Sequence, residues 1–129
     1  MKVVMNVLIV DDSKLARMAL VKILAKNYPT WVRKEAGNAD EALQLASEFA
    51  ADIVLMDYNM PGRDGLALAA DFRAQDPSMR LALISANQQH EIVEGAKALG
   101  ASFLTKPVNG PDLVAFLGKP DTPVDQDDQ

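Results

Sequence analysis

The chain contains no cysteine. A disulfide framework, a thiolate metal centre and a cysteine nucleophile are therefore excluded. There is one histidine, His90, which removes His-rich zinc sites and argues against a serine–histidine triad. An excess of positive charge is also missing. The net charge is −5, the wrong sign for a direct nucleic-acid partner. No apolar run approaches the roughly 18 residues needed to span a bilayer. Lys2 followed by Val-Val-Met-Asn-Val-Leu-Ile-Val is a faint signal-peptide pattern. Asn6 interrupts it, Asp11 and Asp12 end it, and no small-residue cleavage site follows. The expectation is a cytoplasmic protein without membrane insertion.

What is present fits one domain. The sequence has 129 residues, 49% of them hydrophobic and 24% charged, enough apolar content for a real core. The charge is unevenly placed. Residues 119–129 hold four of the 18 acids (Asp121, Asp125, Asp127, Asp128) and one of the 13 bases (Lys119), leaving 14 acids and 12 bases elsewhere. The reading is a domain over 1–118 followed by an acidic tail expected to be disordered.

Short apolar runs alternate with helical patterns. Val7–Val10, Ile53–Met56, Leu81–Ile84 and the weaker Ala101–Leu104 read as strands, with a more polar Trp31–Ala36 near an edge. Continuous apolar strands suit a parallel sheet covered on both faces. Between them, the spacing predicts a helix from Ser13 to about Lys26, with Ala16, Ala19, Leu20, Ile23 and Leu24 on its core face. A second covers Ala39 to about Ala50, capped by Asn38 with Glu41. Asp64 caps a third over roughly 65–75, and a fourth from about Gln88 stops before Gly100. The last begins with Pro111 at its first position and closes by Leu117. Strand and helix alternate five times, which predicts a doubly wound α/β sheet with helices on both faces. There is no internal repeat.

The polar residues fall at strand ends. Asp11 and Asp12 follow the first strand, Asp57 the third, Ser85 the fourth and Lys106 the fifth. In open parallel sheets ligands bind outside those ends. Clustered carboxylates repel one another, and a hard divalent cation such as Mg²⁺ relieves this with oxygen ligands. A lysine adds a mobile positive charge and a serine a hydroxyl donor. An aspartate facing a metal, a lysine and a hydroxyl is arranged for attack on phosphorus. Competing readings exist. Asp12 is also a candidate cap for the first helix. Asp57–Gly62 superficially matches a calcium loop, but its fifth position is Pro61 and its twelfth is Leu68. His90 reads as a solvated helix residue.

Four motifs carry a family resemblance: Val10-Asp11-Asp12-Ser13, Asp52-Ile53-Val54-Leu55-Met56-Asp57-Tyr58-Asn59-Met60-Pro61-Gly62-Arg63-Asp64-Gly65, Leu83-Ile84-Ser85-Ala86 and Phe103-Leu104-Thr105-Lys106-Pro107. Over about residues 5–117 the chain resembles receiver domains of two-component response regulators, of the stand-alone, CheY-like kind. The resemblance implies a flavodoxin-like five-stranded sheet of order 2-1-3-4-5. It implies Asp57 as phosphoacceptor, Lys106 as the invariant lysine and Ser85 as the hydroxyl switch residue. Mg²⁺ would be held by Asp12 and Asp57, by Asp11 through water and by the backbone carbonyl of Asn59. Phe103 matches the aromatic switch position, and Asn59 and Asn87 the positions that tune phosphoryl lifetime. The Lys106–Pro107 bond is expected to be cis.

The implied partners are a histidine kinase or phosphotransfer protein and a downstream protein target. Leu15, Met18 and Val21 flank the first helix beside the acidic residues. With Pro107, Leu15 and Met18 are the expected docking centre for the donor. A monomer without its own output domain is expected, acting on a flagellar switch, on a kinase or as a phosphorelay intermediate. Two alternatives stay open. One is a phosphorylation-independent scaffold. The other is a haloacid-dehalogenase-like phosphatase, which wants an aspartate where Asn59 stands and a cap domain for which no length remains.

Overall fold

The computed structural model describes residues 4–118. The acidic stretch 119–129, expected to be a disordered tail, lies outside the described residues. The main sheet contains β1 (Asn6–Val10), β2 (Val32–Ala36), β3 (Ile53–Asp57), β6 (Arg80–Ser85) and β7 (Ser102–Thr105). A separate ribbon pairs β4 (Asn59–Met60) with β5 (Arg63–Asp64). The helices are α1 (Lys14–Asn27), α2 (Ala39–Phe49), α3 (Gly65–Gln75), α4 (His90–Ala98) and α5 (Gly110–Leu117). The five main strands are all parallel, in the order β2-β1-β3-β6-β7. Counting main-sheet strands alone, this is the 2-1-3-4-5 order of a doubly wound flavodoxin-like sheet.

The apolar runs explain the two cores. Successive strand side chains point to opposite faces. Leu8, Val10, Val54, Met56, Leu81 and Leu83 face one way and pack with Ala42, Ala46, Leu68, Phe72, Ile92 and Ala96 of α2, α3 and α4. Val7, Ile9, Ile53, Leu55, Ala82 and Ile84 face the other way and meet Leu20 and Leu24 of α1 and Leu113 and Leu117 of α5. A strand buried on both sides has no polar alternation to show, which is why β3 is buried at every position. The edge strand β2 carries Arg33, Lys34 and Glu35, charges that suit an edge.

Most boundaries follow from side-chain chemistry. Asp64 Oδ1 accepts from Ala67 N–H at 2.8 Å and Asn38 Oδ1 from Glu41 N–H at 2.8 Å, so both cap as expected. Glu41 Oε1 reaches back to Gly37 N–H rather than to the cap residue. Gly100, with φ of 71°, ends α4 as Ala101 N–H bonds Ala96 O and Gly100 N–H bonds Lys97 O. Four expectations need correction. The α1 cap is Ser13, whose Oγ accepts from Ala16 N–H at 3.2 Å, which leaves Asp12 without a capping role. Ala19 is exposed rather than part of the core, because it borders a groove between α1 and the loop after β7. Helix α4 starts at His90 and not Gln88, since Asn87 Oδ1 takes the Gln89 N–H at 3.0 Å in a turn. Pro111 sits one place further into α5, because Asn109 caps a helix that begins at Gly110. Among the described residues, no helix is long and apolar enough to cross a membrane.

Candidate functional site

The carboxyl ends of β1, β3, β6 and β7 converge on one pocket. Asp57 is the last residue of β3 and only 5% exposed. Asp11, just past β1, is 3% exposed, and Asp12 beside it is exposed. One carboxylate oxygen from each of Asp11, Asp12 and Asp57 lies within 4.8 Å of the others. Lys106, just past β7, reaches across β6. Its Nζ is 3.1 Å from Asp57 Oδ1 and 3.2 Å from Asp11 Oδ2. Ser85, the last residue of β6, is fully buried. Its Oγ accepts from Asn87 N–H at 2.9 Å and its carbonyl from Lys106 N–H at 3.1 Å.

Local sequence holds these groups in place. Parallel register sets Asp57 against Ile84 and Ser85 against Thr105. After Asp57, the chain turns through Pro61 and Gly62, and Asn59 pairs with Asp64 in the ribbon. Gly65 then returns close under the loop. A Cβ there would lie 2.7 Å from Tyr58 Cα and 3.2 Å from Asp57 O, so only glycine fits without moving the phosphoacceptor candidate. The Lys106–Pro107 peptide bond is cis, as expected.

The electrostatics are unbalanced. Burial pushes the Asp57 carboxyl above the usual carboxylate range, and the Asp11 charge adds to this. Hydrogen bonding and charge from Lys106, and the Asn59 N–H, work against the shift without cancelling it. For Lys106, burial favours loss of the proton. The hydrogen bonds and charges of Asp57 and Asp11 outweigh it and hold the ammonium above its ordinary value. One lysine thus faces two buried carboxylates and a third beside them. That uncompensated negative charge and an all-oxygen donor set fit a hard divalent cation.

The remaining site candidates lie around this centre. Phe103 is half-buried in β7, opposite Leu83, and packs against the core beneath α4. Asn59 and Asn87 are exposed, as is His90 at the first position of α4. Leu15 and Met18 on α1 are 77% and 52% exposed, and Pro107 is exposed. Sequence reasoning missed a groove of about 400 Å³ beside the pocket, lined by Ala16, Ala19, Leu20, Ile84, Pro107 and Val108 among others. Small residues at positions 16, 19 and 86 were its available signal. Arg17, which bonds the Asp11 carbonyl at 2.6 Å, was also missed, because a single arginine on a helix has no periodic signature. The β4–β5 ribbon was missed as well, although the Pro61–Gly62 pair, a turn dipeptide, was its available signal.

The doubly wound sheet thus carries its aspartate–lysine pocket at the carboxyl ends of its strands, the place where open parallel sheets bind ligands. The chain belongs to the response regulator receiver domain family, whose family model matches residues 7–117. It is 34% identical over 116 residues to the chemotaxis protein CheY of Listeria monocytogenes, covering 89% of this chain and 97% of that protein. It is 36% identical over 121 residues to the positive alginate biosynthesis regulatory protein of Pseudomonas aeruginosa. That match covers 92% of this chain but only 48% of the regulator. Among solved structures, the chemotaxis protein CheY4 of Vibrio cholerae superposes with a TM-score of 0.80 at 27% identity, over 89% of this chain and 97% of that one.

Proposed function

We propose that the domain is a phosphorylation switch, in which Asp57 accepts a phosphoryl group from a phosphohistidine on a histidine kinase or phosphotransfer protein. The observation that carries this reading is the buried Asp57 carboxylate, 3.1 Å from the Lys106 ammonium and clustered with Asp11 and Asp12. Asp57 Oδ attacks phosphorus in line. The Oδ–P bond forms as the P–N bond breaks, and the imidazole leaves. Lys106 stays cationic and neutralises phosphoryl oxygens as they approach. Mg²⁺, held by Asp12, Asp57 and the Asn59 carbonyl and by Asp11 through water, would supply further charge neutralisation.

Ser85 then turns its hydroxyl from the Asn87 N–H toward the phosphoryl group, and Phe103 moves inward behind it. The surface of α4, β7 and α5 changes its preference for a downstream protein, a population shift biased by one new anion. Leu15, Met18 and Pro107 receive the phosphodonor. The receiver unit is assigned to residues 1–118 and acts as a monomer in the cytoplasm. Its chemistry is confined to its own phosphorylation and dephosphorylation. Incubation with acetyl phosphate and Mg²⁺, read by intact mass, tests the central claim. Wild type gains one phosphoryl group and Asp57→Asn gains none. No gain by wild type, or equal gain by the variant, overturns the assignment.

A further inference from the structure

Every polar group of Asp11 is held by a named partner. Its N–H donates to Ala36 O at 3.1 Å, and its Oδ1 accepts from Ser13 N–H at 2.9 Å. Its Oδ2 accepts from Lys106, and its backbone carbonyl accepts from Arg17 Nη1 at 2.6 Å. The same guanidinium donates through Nε to Glu35 Oε1 on β2 at 2.9 Å. The Arg17 side chain is only 17% exposed, so water competes weakly for these bonds. Asp12 is different. It is exposed, and among the described residues its carboxylate accepts no hydrogen bond from the protein. Its position near Asp57 therefore depends on the backbone that carries it.

The Asp11 carbonyl and the Asp12 N–H belong to one planar peptide unit. Whatever fixes that plane fixes the direction in which Asp12 leaves it. We propose that Arg17, braced by Glu35, is a positioning residue that locks the Asp11–Asp12 peptide and so sets the Asp12 carboxylate for Mg²⁺. This rests on the reading of the pocket as a Mg²⁺ site. The side chain suits the task. A planar fork meets two acceptors in fixed directions, the Asp11 carbonyl and the Glu35 carboxylate, which a lysine ammonium does not do. By binding a carbonyl, Arg17 also orients the loop without occupying a carboxylate oxygen that the cation needs. Its own N–H starts α1 by bonding Ser13 O at 3.1 Å, so one residue clamps both ends of the short loop.

The test is Mg²⁺ titration by calorimetry on the full chain, with folding checked by circular dichroism. Outer partners of metal ligands typically contribute about 10–100-fold in affinity. Arg17→Ala weakens Mg²⁺ binding by at least about tenfold, and Arg17→Lys restores part of the loss. Glu35→Gln alone weakens it less, and adding it to Arg17→Ala costs nothing more, since both act through one contact. With acetyl phosphate, Arg17→Ala needs more Mg²⁺ for half-maximal rate but approaches the wild-type rate at saturation. A brace for the fold alone would lower the melting temperature and leave the Mg²⁺ affinity unchanged. Unchanged affinity in folded Arg17→Ala overturns the inference. Should that variant not fold, wild-type affinity in Arg17→Lys overturns it. Wild type that binds no Mg²⁺ removes the reading of the pocket itself, and the inference with it.

Discussion

Lys106 Nζ lies 3.1 Å from Asp57 Oδ1, although their strands are separated by β6. The same ammonium is 3.2 Å from Asp11 Oδ2, so one cation bridges two buried carboxylates. Lys106→Met keeps most of the apolar stem and removes the charge. Asp57 and Asp11 are then left facing each other without compensation. Losing one member of a buried pair costs about 3–5 kcal/mol. Lys106 is 32% exposed, so solvent screens part of this, and about 1–3 kcal/mol is expected. Binding of Mg²⁺ should change in the opposite direction. Without a competing cation the pocket is more negative and holds Mg²⁺ more tightly. Acceptance of a phosphoryl group slows, because nothing replaces the lysine on the incoming oxygens. Urea melts, Mg²⁺ titration and acetyl phosphate kinetics check the three effects. Weaker Mg²⁺ binding in the variant would contradict the account.

Leu15 and Met18 project from α1 into solvent next to the pocket, at 77% and 52% exposure. Neither belongs to either core cluster, so their replacement should leave stability within about 0.5 kcal/mol. The double variant Leu15→Glu, Met18→Glu is expected to slow transfer from a phosphohistidine protein by tenfold or more, on the order of 1–2 kcal/mol of lost contact. Acetyl phosphate is too small to use the docking surface, so its rate stays at the wild-type value. Equal loss with both donors would show that the two residues support the pocket and not the partner.

Much of the architecture was legible because a parallel sheet buried on both faces writes itself as unbroken apolar runs. Ile53–Met56 and Leu81–Ile84 are such runs, and the polar residues that end them stand at the pocket. What escaped depended on contacts distant in the chain or on competition between neighbouring caps. Ser13 and Asp12 are both good cap residues, and only the backbone geometry chose Ser13. Ala19 fits the apolar stripe of α1, yet the loop after β7 stops short of covering it. The start of α4 was displaced by a side chain, Asn87, that bonded the backbone before the helix could. Arg17 reaches Glu35 18 positions away, a contact with no local signature.

Tyr28 closes the far end of the fold, away from the strand ends that form the pocket. It is fully buried, stacked on Trp31 with ring centroids 4.2 Å apart, and donates its hydroxyl to Gly118 O at 2.6 Å. The bond ties the end of α1 to the end of α5. Burial raises the phenol above its ordinary value of 10.0, against a smaller opposing effect from the Arg80 charge. The consequence for stability has a definite sign. Below pH 10 both folded and unfolded chains keep the proton, and this group adds no pH dependence. Above it the unfolded chain loses the proton while the folded chain retains it. Stability from Tyr28 is then lost as the pH rises through the folded value. Tyr28→Phe should cost about 1 kcal/mol near neutrality through the missing hydrogen bond. The deficit should shrink as the pH is raised above 10, because the variant has no proton to lose there. Urea denaturation of both proteins across neutral and alkaline pH, followed by circular dichroism, measures the difference. A deficit that stays constant with pH would mean that the hydroxyl titrates alike in both states, and that the bond to Gly118 contributes no linkage.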